Sequence, residues 1–243
     1  MSDYQFSSLN LIPQLQDNLR SLGFNSMTAI QAQSLPMILG GNDVIAQGQT
    51  GSGKTAAFGL GILNKLDVKL FKVQSVVLCP TRELAEQVSG EIRRLARGIP
   101  NVKVVTVYGG TPIKAQTSSL EKGAHIVVGT PGRIDDHLSK GSLDLSTMTT
   151  LVLDEADRML DMGFQKTLES IVDAAPIKRQ TLLFSATYPK GIRAIAEKIT
   201  LNPVTAEVAP TQDTVRVDQA FFLVDNEQER LQALKLLLSL IHI

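Results

Sequence analysis

The octapeptide Gly48-Gln49-Thr50-Gly51-Ser52-Gly53-Lys54-Thr55 has the composition and spacing of a phosphate-binding loop. Glycines let a backbone close around phosphate oxygens, and a following helix aims its first amides and its partial positive charge at the same anion. In that arrangement Gln49, Thr50, Gly51, Ser52 and Gly53 form the cradle. Lys54 reaches the β- and γ-phosphates, and the Thr55 hydroxyl holds Mg2+. A ligand-free glycine turn seldom reproduces the whole pattern directly between a strand and a helix.

Such a loop needs carboxylates. Leu151-Val152-Leu153 reads as a buried strand and ends in Asp154-Glu155-Ala156-Asp157. Asp154 would then sit at the strand's carboxyl end, placed to hold Mg2+ through water. Glu155, one residue on, could orient or deprotonate an attacking water. In isolation the same letters would pass for an acidic helix start; beside a phosphate loop they complete a metal site. Lys54, Asp154 and Glu155 are the candidate catalytic residues.

The elements that must position these groups follow from periodicity. Apolar, β-branched runs occupy Asp43–Gln47, Ser75–Cys79, Val102–Val107, His125–Val128, Thr150–Leu153 and Thr181–Phe184. Between them, helical spacing covers 53–65, 82–97, 112–121, 131–139, 164–174 and 190–199, preceded by helices at 10–22 and 30–39. Continuous strands alternating with helices predict an α/β fold: a mostly parallel sheet with helices on both faces. Ligands bind such sheets beyond the strands' carboxyl ends, and each motif begins where a strand run stops.

Composition narrows the class. Lys plus Arg and Asp plus Glu are equal at 24 each, so the formal net charge is zero. That argues against holding nucleic acid by a bulk positive field, and leaves room for a few local phosphate contacts. One cysteine, Cys79, forms no internal disulfide and fits a reducing compartment. No stretch approaches the ~20 apolar residues of a membrane span, and no secretory signal opens the chain. The expectation is a soluble, cytoplasmic protein without a membrane partner.

In motif order, residues 6–208 resemble the first RecA-like domain of the DEAD-box RNA helicases, whose name is spelled by Asp154-Glu155-Ala156-Asp157. Gly23–Gln31 resembles the family's Q motif. The resemblance implies that Phe24, Thr28 and Gln31 meet the nucleotide, with Gln31 reading the adenine edge and Phe6 packing on the base. ATP and Mg2+ are the implied cofactors. Pro80-Thr81-Arg82-Glu83-Leu84, Gly109-Gly110 and Thr130-Pro131-Gly132-Arg133 resemble the RNA-contacting motifs, and the groups of Pro80, Thr81, Arg82 and the other two motifs suit phosphate oxygens. RNA gripped only at phosphate and sugar is bound without sequence preference. Ser185-Ala186-Thr187 resembles the motif that couples nucleotide state to RNA grip, its hydroxyls reaching Asp157.

Two positions depart from the family pattern. Met27 stands where proline is usual, so the Q-motif loop is expected to be less rigid. Gly48 replaces a small alanine, adding flexibility before the phosphate loop.

The resemblance implies an ATP-dependent RNA helicase that unwinds RNA locally, acting as a monomer. Residues 1–208 form the N-terminal RecA-like ATP-binding domain, 209–217 a polar linker, and 218–243 the truncated start of a second RecA-like domain. Within that start, Gln219–Val224 reads as a strand and Glu227–Leu238 as a helix. The second domain supplies arginine fingers in cis, so this half alone is expected to turn over poorly. Leu238–Ile243 matches the translation of a sequencing adapter and is expected to carry no function; an ordinary amphipathic helix end is the alternative. Cys79–Val88, Arg93–Arg97 and Arg158–Phe164 resemble the bacterial DbpA-like helicases of large-subunit ribosome assembly, which implies pre-ribosomal RNA as partner. A DNA helicase, an ATP-gated RNA clamp and a non-catalytic nucleotide-binding protein remain open. Cys79, Met159 and Met162 read as core, Lys178-Arg179 as a solvated loop, and His125, His137 and His242 lack metal-ligand spacing.

Overall fold

A computed structural model describes residues 4–208 and 220–240. Strands run over Val44–Gln47 (β1), Ser75–Leu78 (β2), Val104–Val107 (β3), Ile126–Gly129 (β4), Thr150–Asp154 (β5), Gln180–Ser185 (β6) and Val204–Glu207 (β7). Helices cover Pro13–Ser21 (α1), Ala29–Leu39 (α2), Lys54–Lys65 (α3), Arg82–Leu95 (α4) and Ile113–Glu121 (α5). They continue with Pro131–Ser139 (α6), Ala156–Asp161 (α7), Gln165–Asp173 (α8), Lys190–Ile199 (α9) and Glu227–Leu240 (α10).

The strands form one sheet in the order β3-β4-β2-β5-β6-β1-β7. Every pairing is parallel, so the sheet is parallel throughout and not merely for the most part. Alternation along the strands feeds two cores. Val44, Ala46, Val77, Val152, Leu182 and Phe184 face α1–α4, whereas Ile45, Val76, Leu78, Leu151, Leu153 and Leu183 face α5–α9. With both faces covered, the strands carry apolar side chains on successive residues. The central helix α3 packs tightly on α2: a Cβ at Gly61 would collide with Ile38.

Several boundaries differ from expectation for local reasons. Helix α7 is too short for a periodic signal, and β7 has alternating exposure at the sheet edge that masks it as a strand. Met159 is buried but Met162, expected in the core, is 52% exposed because it follows the end of α7. Of the expected solvated pair, Lys178 is exposed but Arg179 is half-buried: burial lowers its pKa, and it donates to Pro176 O and Ile199 O at 2.8 and 3.3 Å.

Residues 4–208 lie in one compact unit, and α10 belongs to a second. In that second unit the strand expected over 219–224 is absent from 220–224, where Phe221 and Leu223 are almost wholly exposed. A strand exists only through its neighbour's hydrogen bonds, and these residues pair with none among the described residues. The expected linker, 209–217, lies outside the described residues, as do Ile241–Ile243 at the chain end; Leu238–Leu240 continue α10.

Candidate functional site

Strand order splits the sheet's carboxyl edge into two halves. The phosphate-loop signature follows β1, the acidic tetrapeptide follows β5, and Ser185-Ala186-Thr187 follows β6 between them. The other three motifs follow β2, β3 and β4.

On the first half, Lys54 opens α3 and is only 5% exposed, its ammonium donating to Gly48 O at 2.9 Å. That bond crosses the loop it would share with phosphates. Gly51 and Gly53 have φ of +81° and +93°, a region other residues enter at a cost. At Gly53 a Cβ would also collide with the Gln31 amide. Gly48, by contrast, would take a methyl group with only a small shift of Ser52 Oγ, 3.2 Å from the ideal Cβ. The glycine there answers no backbone requirement.

Asp154 ends β5 at 3% exposure, and its Oδ1 has no hydrogen-bond partner. Burial pushes its pKa up to about 6; the Lys54 charge opposes the shift and Glu155 adds to it. A buried, orphaned carboxylate oxygen facing a lysine fits a cation that is present only with its nucleotide. Glu155 adopts a left-handed conformation, φ 54° and ψ 52°, rare for a residue with a side chain. It is 6% exposed, accepts from Arg158 Nη1 at 2.8 Å, and stands 3.4 Å from Thr50 Oγ1. The bend at Glu155 turns the chain from strand into α7 and keeps both carboxylates beside the loop.

Lys54, Thr55, Asp154 and Glu155 line one cleft of about 400 Å³, together with Thr50, Gly51, Gly53, Thr28, Gln31 and Phe24. Gln49, exposed, and Ser52, half-buried, are not among these lining residues, and Ser52 Oγ donates to Gln49 O at 2.7 Å. Thr28 and Gln31 form a reciprocal cap on α2: Thr28 N donates to Gln31 Oε1 at 2.9 Å, and the Thr28 hydroxyl faces Gln31 N. Gln31 Nε2 donates to Gly53 O at 3.0 Å. One amide proton and one lone pair stay free for a base edge.

Phe6 lies next to the cleft and not in its lining: it is 4% exposed, meets Phe24 edge-on at 6.1 Å, and lines with Phe24 a neighbouring cavity of about 430 Å³. Arg94 covers the Phe24 ring at 5.0 Å. Nor is the Q-motif loop loosened by Met27. Its side chain is buried and its amide donates to Tyr4 O at 2.5 Å, a bond proline could not make. The cleft also takes Leu84, the end of the Pro80–Leu84 motif, and Gln87 and Glu91 from further along α4, which no motif flags.

Asp157 ties this half together. Its Oδ2 accepts from Thr187 N and Thr187 Oγ at 2.9 and 2.8 Å, while Asp157 N donates to Ser185 Oγ at 3.3 Å. Burial alone would raise its pKa; the hydrogen bonds from Thr187, Ser185 and the Arg158 amide outweigh it and hold the carboxyl below its ordinary value. Burial drives the Cys79 thiol well up, with Asp154 and Glu155 adding to the shift, which makes it an inert core thiol.

On the second half, Thr81 caps α4 and Arg82 is exposed, its Nε paired with Glu83 at 2.7 Å. An ideal Cβ on Gly110 lies 3.7 Å from Arg82 Nη1, so the second and third strands' motifs share one surface. Gly109 and Gly132 are open, with nothing near an added Cβ. Pro80 and Pro131 are buried, and Thr130 N donates to Val107 O at 3.1 Å. Arg133 differs from the expectation of a free phosphate ligand. Its side chain is 12% exposed, and Nη1 turns inward to Thr111 O and Gln116 Oε1 at 3.1 and 3.3 Å. Two buried groups there, Gln116 and His137, were invisible to motif reading because α5 and α6 must first pack together.

A family model described as DEAD/DEAH box helicase matches residues 28–195. The ATP-dependent RNA helicase DbpA of Escherichia coli (strain K12) is 50% identical over 236 residues, covering 97% of this chain and 51% of that protein. The DEAD-box ATP-dependent RNA helicase CshA of Geobacillus kaustophilus (strain HTA426) is 44% identical, covering 97% and 50%. The chain thus spans about half the length of the curated relatives it matches. The crystal structure of a DEAD box protein from the hyperthermophile Methanococcus jannaschii superposes with a TM-score of 0.81 at 39% identity, covering 97% of this chain and 63% of that one. By its motifs in order, its parallel sheet and these matches, the chain belongs to the DEAD/DEAH box helicase family.

Proposed function

We propose that this chain is the ATP-binding half of an ATP-dependent RNA helicase, with residues 1–208 as its first RecA-like domain. The convergence of buried Lys54, Asp154 and Glu155 on one cleft with Gln31 carries the reading. Lys54 would neutralise β- and γ-phosphate charge, and the amides of Gly51–Thr55 would fix the phosphates at the start of α3. Thr55, and Asp154 through water, would hold Mg2+, which when bound offsets phosphate charge. Glu155 orients the attacking water and accepts its proton. Gln31 and Thr28 select adenine, and Phe24 with the adjoining Phe6 supplies the apolar wall for the base.

Thr81, Arg82, Gly109, Gly110, Thr130 and Gly132, with the buried Pro80 and Pro131 shaping their turns, form the face for RNA phosphates. Asp157, Ser185 and Thr187 are the bridge between nucleotide state and RNA grip. The missing partner is a second RecA-like domain that follows in cis, of which 218–243 would be the beginning; arginine fingers of that kind contribute roughly 10³–10⁵ in rate. The segments resembling DbpA-like helicases favour pre-ribosomal RNA as the proposed substrate; the proposed location is the cytoplasm and the proposed state a monomer.

Titrating the chain with a fluorescent ADP analogue in Mg2+ tests the reading. Binding displaced by ATP and not by GTP is expected, and Lys54→Ala should weaken it about 100-fold. Equal displacement by GTP, or full affinity in Lys54→Ala, would remove its basis.

A further inference from the structure

Behind the Gly109-Gly110 turn lies a buried polar cluster with no assigned role. Gln116 on α5 is 9% exposed, and His137 on α6 is fully buried. Gln116 Nε2 donates to Tyr108 O at 3.0 Å and to Thr111 Oγ at 2.6 Å. Its Oε1 accepts from Arg133 Nη1 at 3.3 Å and faces His137 Nε2 at 3.2 Å. Arg133 Nη1 also donates to Thr111 O at 3.1 Å.

Chemistry fixes the orientation of every member. A carbonyl oxygen only accepts, so the Gln116 atom facing Tyr108 O must be its NH2 group. A guanidinium only donates, so the atom facing Arg133 must be the amide oxygen. His137 Nε2 therefore carries a proton. With the ring neutral, Nδ1 accepts from Ser142 Oγ at 2.7 Å, the shorter of the two contacts that compete for that hydroxyl's one proton, His137 O lying at 3.2 Å. All four bonds of the Gln116 amide are spent on its surroundings. The two donors hold residues on either side of Gly109-Gly110, and the two acceptors anchor the amide to α6.

We propose that Gln116 and His137 are positioning residues that set the Gly109-Gly110 turn for RNA phosphate, with Arg133 serving in the same clamp. A turn of two glycines has no side chain to hold its own shape, and Gly110 is at φ +82°. Its backbone amides can point at a phosphate only if the flanking residues are fixed, which is what the clamp does at Tyr108 and Thr111. The cluster is distant in sequence but joins the turn to the start of α6, where Thr130-Pro131-Gly132 lies. The proposal rests on the reading of this face as RNA-binding.

The test uses the ¹⁵N-labelled chain titrated with a uridine oligonucleotide of about ten nucleotides, following amide shifts, with ADP affinity measured alongside. In the wild type, Gly109 and Gly110 should shift on RNA addition. Gln116→Ala should weaken RNA binding about tenfold and abolish those two shifts, with ADP affinity within about twofold of wild type. Thr111→Val, a smaller change that removes one arm of the clamp, should act in the same direction and guards against a folding failure of the first variant. His137→Leu should weaken binding about threefold, and His137→Gln, which keeps a donor toward Gln116, should restore it. Wild-type RNA affinity in Gln116→Ala and Thr111→Val, or no rescue by His137→Gln, overturns the clamp while leaving the RNA face intact. A wild-type chain whose Gly109 and Gly110 ignore RNA overturns the RNA reading itself, and the clamp with it.

Discussion

The two halves of the sheet's carboxyl edge solve opposite problems. Beyond β1, β5 and β6, charged groups are buried before any ligand arrives: Lys54, Asp154 and Glu155 are each less than a tenth exposed, Asp154 Oδ1 has no partner, and Glu155 is left-handed. Beyond β2, β3 and β4, Arg82 is exposed and paired with its neighbour, and the buried Gln116–Arg133–His137 cluster is internally hydrogen-bonded. The first half keeps an unfavourable arrangement that a nucleotide and its cation relieve. The second is hydrogen-bonded without ligand except at the buried Arg133 Nε, which has only Asp136 at 3.7 Å, and it offers backbone amides and a surface charge. Preorganisation of this kind favours tight, specific binding on one side and weak, sequence-blind binding on the other.

The largest effect should come from breaking the first half at its reacting group. Glu155→Gln keeps size and hydrogen bonding but removes the base. In the full-length protein, ATP affinity should stay within about threefold while turnover falls by about 10²–10⁴, measured by phosphate release. Loss of binding in place of turnover would make Glu155 a structural residue.

Relieving the cost of Asp154 should sharpen the contrast. Its folded pKa, about 6, exceeds the ordinary carboxylate value, so between the two values the folded state binds more protons than the unfolded one. Stability therefore falls as pH rises from about 4 to about 6, and the full cost is present above that. Without nucleotide, Asp154→Asn should stabilise the chain at pH 8 by on the order of 3 kcal/mol and have little effect near pH 4. Thermal denaturation at both pH values reads this out. Equal effects at the two pH values would contradict the burial cost.

The link from Asp157 to Thr187, within the first half, is expected to matter less. Thr187→Val removes the hydroxyl that donates to Asp157 Oδ2 and should cost about 1–2 kcal/mol of stability in urea unfolding. Unchanged stability would show that the Thr187 amide alone satisfies the carboxylate. Smallest is the surface charge: Arg82→Ala should lower the slope of log RNA affinity against log salt by about 1 and leave nucleotide binding untouched. An unchanged slope would remove Arg82 from the phosphate contacts.

Much of the first half was legible because its chemistry is local. Gly48–Thr55 and Asp154–Asp157 each lie on a single strand end, and the Thr28-x-x-Gln31 cap is written within one turn of helix. The strand runs were legible for a related reason: a doubly covered sheet makes them continuously apolar. What was not legible depends on packing between elements. Where Phe6 stands, edge-on to Phe24, is set by how the N-terminal segment docks, with Tyr4 bonded to Met27. Arg133 read as a phosphate ligand because only the contact of α5 with α6 reveals where it points. Gln87 and Glu91 enter the cleft because α4 packs along α3, a contact no short motif encodes.

The central claim is that nucleotide and cation settle beside Lys54, Asp154 and Glu155, not along the face beyond β2–β4. Replacing Mg2+ by paramagnetic Mn2+ in the presence of ATP, and recording amide relaxation across the chain, locates the ion directly. The account predicts strong broadening at Thr55, Asp154 and Glu155, with Gly109 and Gly110 spared. Broadening centred on Gly109 and Gly110, or spread evenly over surface carboxylates, would contradict it.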